Sequence, residues 1–153
     1  MASTAIFGDN EREREQYRRR AQWVKSLPDY KLYWLMEKVV EMATNDRKGR
    51  GRRSVREILR VKHPDYYRQV MLAGAGRNTS KEAEEVDCPV LMLIGDKDNL
   101  FSKKQAKKVK EYIPHAEFEV IEGGGHGMVY ECGEVIARRI EAFQESHCPR
   151  TDR

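Results

Sequence analysis

Residues 89–101, PVLMLIGDKDNLF, decide how the rest of the chain is read. Pro89 to Ile94 is continuously apolar, which suits a strand buried on both faces of a parallel sheet. Gly95 ends the run, and the loop behind it carries two carboxylates, Asp96 and Asp98. Ser102 is placed to cap a helix with Ala106, Val109 and Ile113 on its apolar face. Phe118 to Ile121 then reads as a second strand. The loop EGGGHG (122–127) follows, and Ile136, Ile140 and Phe143 fall at helical spacing after it. Strand, helix, strand, helix predicts a parallel α/β layout.

Upstream the chain changes character. Residues 2–7, ASTAIF, read as a short extended piece, broken by Gly8, Asp9 and Asn10, which can cap a helix. From about 11 to 27 the pattern is helical, with Tyr17, Ala21, Val24 and Leu27 on one face. Pro28-Asp29 interrupts it. A second helix, about 29–44, puts Leu32, Leu35, Met36, Val39 and Met42 on one stripe. Residues 47–53, rich in Gly and Arg, read as a loop. Ser54 to Glu57 has capping-box spacing and opens a short helix through Ile58 and Leu59. Pro64 starts another at its first position, carrying Tyr67, Val70 and Met71. GAGRNTS (74–80) is a loop. The first half is thus a set of short amphipathic helices without strands or internal repeats.

The whole chain has 153 residues, the size of one ordinary domain. Charged residues make up 35% and the hydrophobic class 39%, with a mean hydropathy of −0.81, which is thin material for a self-sufficient core. The net charge is +4, concentrated in YRRR (17–20) and RKGRGRRSVR (47–56). Neither cluster has interleaved aromatics or a nucleic-acid signature, so solvated surface is the favoured reading and nucleic acid a disfavoured partner. Cys88, Cys132 and Cys148 form an odd set without CxxC spacing, which argues against a disulfide framework or zinc site and fits a reducing compartment. No segment is long and apolar enough to span a membrane, and residues 1–15 lack a signal pattern. A cytoplasmic protein with no metal and no cofactor is expected.

In parallel sheets, sites form in the loops at the carboxyl ends of strands. Parallel neighbours would bring the loop of Asp96 and Asp98 to the same edge as the loop of His126. A carboxylate there could accept the imidazole Nδ1–H, fix the tautomer and leave Nε2 as a general base. The surrounding glycines permit close backbone approach. His63 before Pro64, His115 in the turn IPHAE and His147 near the chain end have no such setting.

Residues 86–145 resemble the C-terminal part of an α/β-hydrolase. The features are Cys88-Pro89 leading a strand, Gly95 to Asp98 after it, Ile113-Pro114-His115-Ala116 before a second strand, the Gly125-His126 loop, and a closing helix that ends near Phe143. The resemblance implies that Asp98, not Asp96, is the acid of a nucleophile-His-Asp triad and that His126 is its base. It further implies that residues 1–8 end a core strand and 9–80 form a helical cap. Residues 81–146 would then continue the core and 147–153 form a disordered tail. The cap would line the substrate entrance, with Tyr30, Tyr33, Trp34, Tyr66 and Tyr67 as candidate lining.

The family nucleophile occupies a Gly-x-Ser-x-Gly elbow, and no such motif occurs in the chain. Related enzymes place Ser or Asp there, and the Asp98–His126 pair suits either. Three arrangements fit: a truncated hydrolase, half of a split enzyme completed by another chain, or a non-catalytic module that kept the pattern. The substrate expected of the completed enzyme is a small ester, lactone or related molecule. The alternative is an α/β interaction module with a basic surface loop. Two strands alone are expected to leave residues 90–94 poorly covered, so the isolated chain is expected to be loosely packed or self-associated.

Overall fold

The computed structural model describes residues 9–45, 49–58, 60, 62–101 and 103–147. The readings made for residues 1–8, for Leu59, for Ser102 as a cap and for the tail beyond His147 lie outside these.

Helix α1 spans Glu11–Ser26. The Asn10 side chain accepts the Glu13 N–H at 2.9 Å, and Glu11 and Glu13 in the first turn complement the helix dipole. Leu27 turns extended ahead of Pro28, where the helix ends. Ala21 and Val24 are buried on the expected face. Helix α2, Asp29–Ala43, begins directly after Pro28. Its buried stripe is Leu32, Met36, Val40 and Ala43. The expected stripe is correct at Leu32 and Met36 but drifts afterwards, and Met42 is exposed. Successive steps of four, four and three residues follow the 3.6-residue turn, and small Ala43 takes the last inward place.

The basic segment departs further from expectation. Helix α3 runs Arg50–Ile58, so Ser54 lies in its interior and caps nothing. Glutamates on α2 pair with arginines at both ends of α3: Arg56 bonds Glu37 at 2.8 Å, and Arg52 lies 3.6 Å from Glu41. Helix α4 covers Pro64–Gly74 with the proline in its first turn, as the sequence implies. Arg68 of α4 reaches the α1–α2 corner, bonding Leu27 O and Asp29 at 2.6 Å each. A short helix that periodicity did not reveal, α5, covers Ser80–Glu84.

The second half follows the expected order: β1 (Leu91–Gly95), α6 (Lys103–Tyr112), β2 (Glu117–Ile121), α7 (Met128–Glu131) and α8 (Gly133–His147). Among the described residues the sheet consists of β1 and β2, parallel, with Leu91 opposite Glu117 and Gly95 opposite Ile121. All five residues of β1 are buried. Met92 and Ile94 pack with Ala83, Phe101, Ala106, Val109 and Ile113 on one face. Leu91 and Leu93 pack with Ile121, Met128 and Ile136 on the other. The expectation that β1 lacks cover is therefore corrected: α5 and α6 shield one face, α7 and α8 the other. Ile140, expected on the inner face of α8, is 43% exposed.

Two of the links between the helical half and this core involve α6 and the loop after β1. Lys108 of α6 bonds Asp9 at 2.6 Å and Glu13 at 2.8 Å, and the Tyr112 hydroxyl donates to Asp9 at 2.9 Å. Leu100, in the loop after β1, packs against Val40, Ala43 and Val55 of α2 and α3. Among the described residues no helix is long and apolar enough to cross a membrane.

Candidate active site

The parallel register carries both strand ends to one edge of the sheet. Beyond the last pair the ladder runs one bond further, with Asp96 N–H donating to Ile121 O at 3.1 Å. The chain after β1 turns tightly, and Asp98 N–H returns to Gly95 O at 3.2 Å. The Asp98 carboxylate then organises its own loop. Its Oδ1 accepts the N–H groups of Leu100 and Phe101, both at 2.8 Å. Phe101 is in turn anchored in the core, 3% exposed. The second oxygen, Oδ2, lies 2.9 Å from Nδ1 of His126.

An ionised carboxylate only accepts, so opposite one the proton of this bond sits on Nδ1, and in the neutral ring Nε2 is then the nitrogen with the lone pair. The Asp98 side chain is fully enclosed, whereas 34% of the His126 side chain reaches solvent. The pair is therefore a shielded acid behind a partly open imidazole, an arrangement able to take up a proton from a neighbouring hydroxyl or water.

The histidine loop is fixed from several sides. Gly123 has φ +74°, in the left-handed region that glycine enters without a Cβ penalty. Its N–H donates to Asp96 Oδ1 at 2.7 Å, and Lys97 N–H donates to Gly124 O at 3.0 Å. Asp96 thus ties the two loops together and does not touch the imidazole. Between them Gly95 leaves no room: a Cβ there would collide with the Gly124 carbonyl and come within 2.8 Å of Gly125 O.

Contacts from the helical half complete the loop. Gly127 N–H donates to Ala43 O at 2.6 Å, and Asn45 Nδ2 donates to Gly123 O at 2.9 Å. Glu131 of α7 accepts Gly125 N–H at 2.8 Å through Oε2 and Asn45 N–H at 2.6 Å through Oε1. Sequence reasoning did not single out Glu131 or Asn45. No periodicity marks a partner 86 positions away.

The remaining histidines lie elsewhere. His115 Nε2 meets Cys88 O at 2.9 Å, His147 stacks on Phe143 and meets Glu117 at 3.0 Å, and His63 precedes α4. The Ser26 and Ser146 hydroxyls donate to backbone carbonyls of their own helices, and that of Ser80 donates to Asn78. Cys132 sits beside the histidine loop, but burial, reinforced by Glu131 and Asp96, raises its thiol above the ordinary value, so it stays protonated. Among the described residues no group of three or more His, Cys, Asp or Glu side chains is disposed to hold a metal.

Two clefts lie in the helical half. One of about 740 Å³ is lined by Tyr33, Met36, Val40 and Arg56, among others, and a second of about 420 Å³ includes Tyr66 and Tyr67. Neither is lined by Asp98 or His126. Of the five aromatics considered for an entrance, Tyr33, Tyr66 and Tyr67 line these clefts; Tyr30 and Trp34 project outward, 70% and 63% exposed.

Comparison with known proteins agrees with this architecture. No curated protein matches the chain. A thermophilic esterase from Thermogutta terrifontis superimposes with a TM-score of 0.73 at 21% identity, covering 95% of this chain and 55% of the esterase. MenH from S. aureus gives a TM-score of 0.76 at 18% identity, over 95% of this chain and 57% of MenH. An esterase from Exiguobacterium antarcticum gives 0.68 at 14% identity, over 90% and 52%. The chain thus spans little more than half the length of the solved structures it matches. The profile of the alpha/beta hydrolase fold matches residues 4–131, which takes in most of the helical half, both strands, Asp98 and His126. The chain belongs to the α/β-hydrolase fold family.

Proposed function

We propose that this chain carries the acid–base half of a hydrolase acting on a small ester, lactone or related molecule. The observation that carries the proposal is the 2.9 Å bond from the enclosed Asp98 carboxylate to Nδ1 of a partly exposed His126. In this reading Asp98 fixes the imidazole and stabilises its protonated form, while Nε2 is the general base.

The nucleophile is supplied by the portion of the fold that the matched structures contain beyond the length of this chain, carried by a complementing segment. A serine hydroxyl there loses its proton to Nε2 as its oxygen bonds to the substrate carbonyl carbon. The imidazolium then returns that proton to the departing alkoxide, and a water repeats the sequence to release the acid. With an aspartate nucleophile the histidine would activate only the hydrolytic water. Helices α1 to α4 serve as the cap over the substrate entrance, and their clefts lined by Tyr33, Tyr66 and Tyr67 supply apolar surface for it.

The test begins with the coding DNA beside this reading frame, searched for an apolar strand followed by Gly-x-Ser-x-Gly or Gly-x-Asp-x-Gly. That segment is co-expressed with the chain and assayed on p-nitrophenyl acetate. Turnover should require both pieces and fall by about a thousandfold or more in His126→Ala. Activity that survives His126→Ala unchanged refutes the assignment. The chain by itself should show no more than trace turnover.

A further inference from the structure

We propose that Glu131 is a positioning residue for His126, clamping the histidine loop to the exit of α2 so that the helical half helps to set where the imidazole points. The proposal rests on the reading of His126 as the base but uses observations that the Asp98 bond does not. The residues on both sides of His126 are bonded toward one short stretch, residues 43–45. On the preceding side, Gly125 N–H and Asn45 N–H share the Glu131 carboxylate, one oxygen each, at 2.8 and 2.6 Å. On the following side, Gly127 N–H donates straight to Ala43 O at 2.6 Å. Asn45 Nδ2 adds a third link, to Gly123 O.

The approach is too close for a side chain in between. A Cβ on Gly125 would stand 2.9 Å from both Ala43 O and Asn45 N and 3.0 Å from Glu131 Oε2. Thr44, at the centre of the stretch, is buried and returns its hydroxyl to Val40 O at 3.0 Å, which fixes the exit of α2 itself. Asp98 holds the imidazole by one ring nitrogen, which leaves rotation and tilt of the ring to the backbone that carries it. That backbone is held by Glu131 and the α2 exit. A shift of α2 is thereby transmitted to the ring through bonds on either side of it.

Glutamine at 131 offers one oxygen acceptor where the carboxylate offers two, so one of the two N–H groups loses its partner. The readout is ¹⁵N and ¹H NMR of the His126 ring, assigned with a His126→Gln variant. The measured quantities are solvent exchange of the Nδ1 proton and the pH at which the ring titrates, taken well below the melting temperature. Glu131→Gln should speed exchange by about tenfold and displace the titration, with Glu131→Ala larger in the same direction. A role confined to stability would lower the melting temperature but leave ring exchange in the folded protein unchanged.

Asn45→Ala removes the Gly123 link from the same stretch without touching Glu131, and serves should the 131 variants not fold; it should also speed exchange. Wild-type exchange and titration in the folded variants, or in Asn45→Ala alone where the others do not fold, overturn the proposal. The measurement needs neither nucleophile nor substrate. A negative result here therefore leaves the hydrolase reading standing, and absent turnover in the complementation assay leaves this one standing.

Discussion

Gly95→Ala tests how tightly the two strand-end loops are pressed together. The added Cβ meets the carbonyl of Gly124, with Gly125 O 2.8 Å away. These are backbone atoms and cannot swing aside as a side chain would. The Gly124 carbonyl is held by Lys97 N–H at 3.0 Å, and the neighbouring Gly123 N–H by Asp96 at 2.7 Å. Relief therefore requires the histidine loop to move as a unit, which stretches the 2.9 Å Asp98–His126 bond. Overpacking of this kind costs about 1–3 kcal/mol. For a chain of this size each kcal/mol lowers the melting temperature by roughly 2–4 °C, so a fall of about 2–12 °C is expected. Circular dichroism gives the melt, and NMR of the His126 ring gives the bond. Gly133→Ala is the control: nothing lies within 4 Å of a Cβ at this first residue of α8, so its melting temperature should hold or rise. A Gly95→Ala protein that melts like the wild type and keeps the ring bond would refute the close-packed edge.

Burial works to raise the pKa of Asp9, but hydrogen bonds from Lys108 and Tyr112 and the lysine charge outweigh it, so the group is held below the ordinary 3.8. An acid lowered on folding adds stability that is full above its unfolded value and is lost as pH falls toward its folded one. Asp9→Asn should therefore lower the urea midpoint at pH 7, with the gap to wild type narrowing below about pH 4; a gap that is constant down to pH 3 would contradict the link. Met128, directly after the histidine loop, is 0% exposed, and Met128→Ala should cost about 2–5 kcal/mol in urea unfolding. A cost below about 1 kcal/mol would mean that Leu91, Leu93 and Ile121 do not close around it.

Much of this chain was legible from residue order. Local period and composition act over a few residues, so the apolar 90–94 run, the Asn10 cap, the proline start of α4 and the inward face of α1 could be read directly. That a carboxylate of the loop after β1 would face His126 was legible because parallel strands bring their carboxyl ends to one edge whatever their exact length, while the choice of Asp98 over Asp96 came from the family resemblance. Reading failed where local signals compete. Ser54 followed by Glu57 imitates a helix start, yet α3 begins at Arg50, and its Arg56 and Arg52 face Glu37 and Glu41 on α2. Helices α5 and α7 contain five and four residues, too few for a period to show.

The sequence by itself determined the α/β order, the two strand-end loops and the two side chains placed on them. Those features depend on alternation, turn chemistry and a parallel register, all written in neighbouring residues. Only the tertiary structure decided what surrounds them: Asp98 enclosed and Asp96 diverted to Gly123, β1 covered on both faces, and the α2 exit bonded to either side of His126. The last of these joins Asn45 to Glu131 across 86 positions. Such a bond depends on how two packed halves meet in space, and no local pattern of residues encodes that meeting.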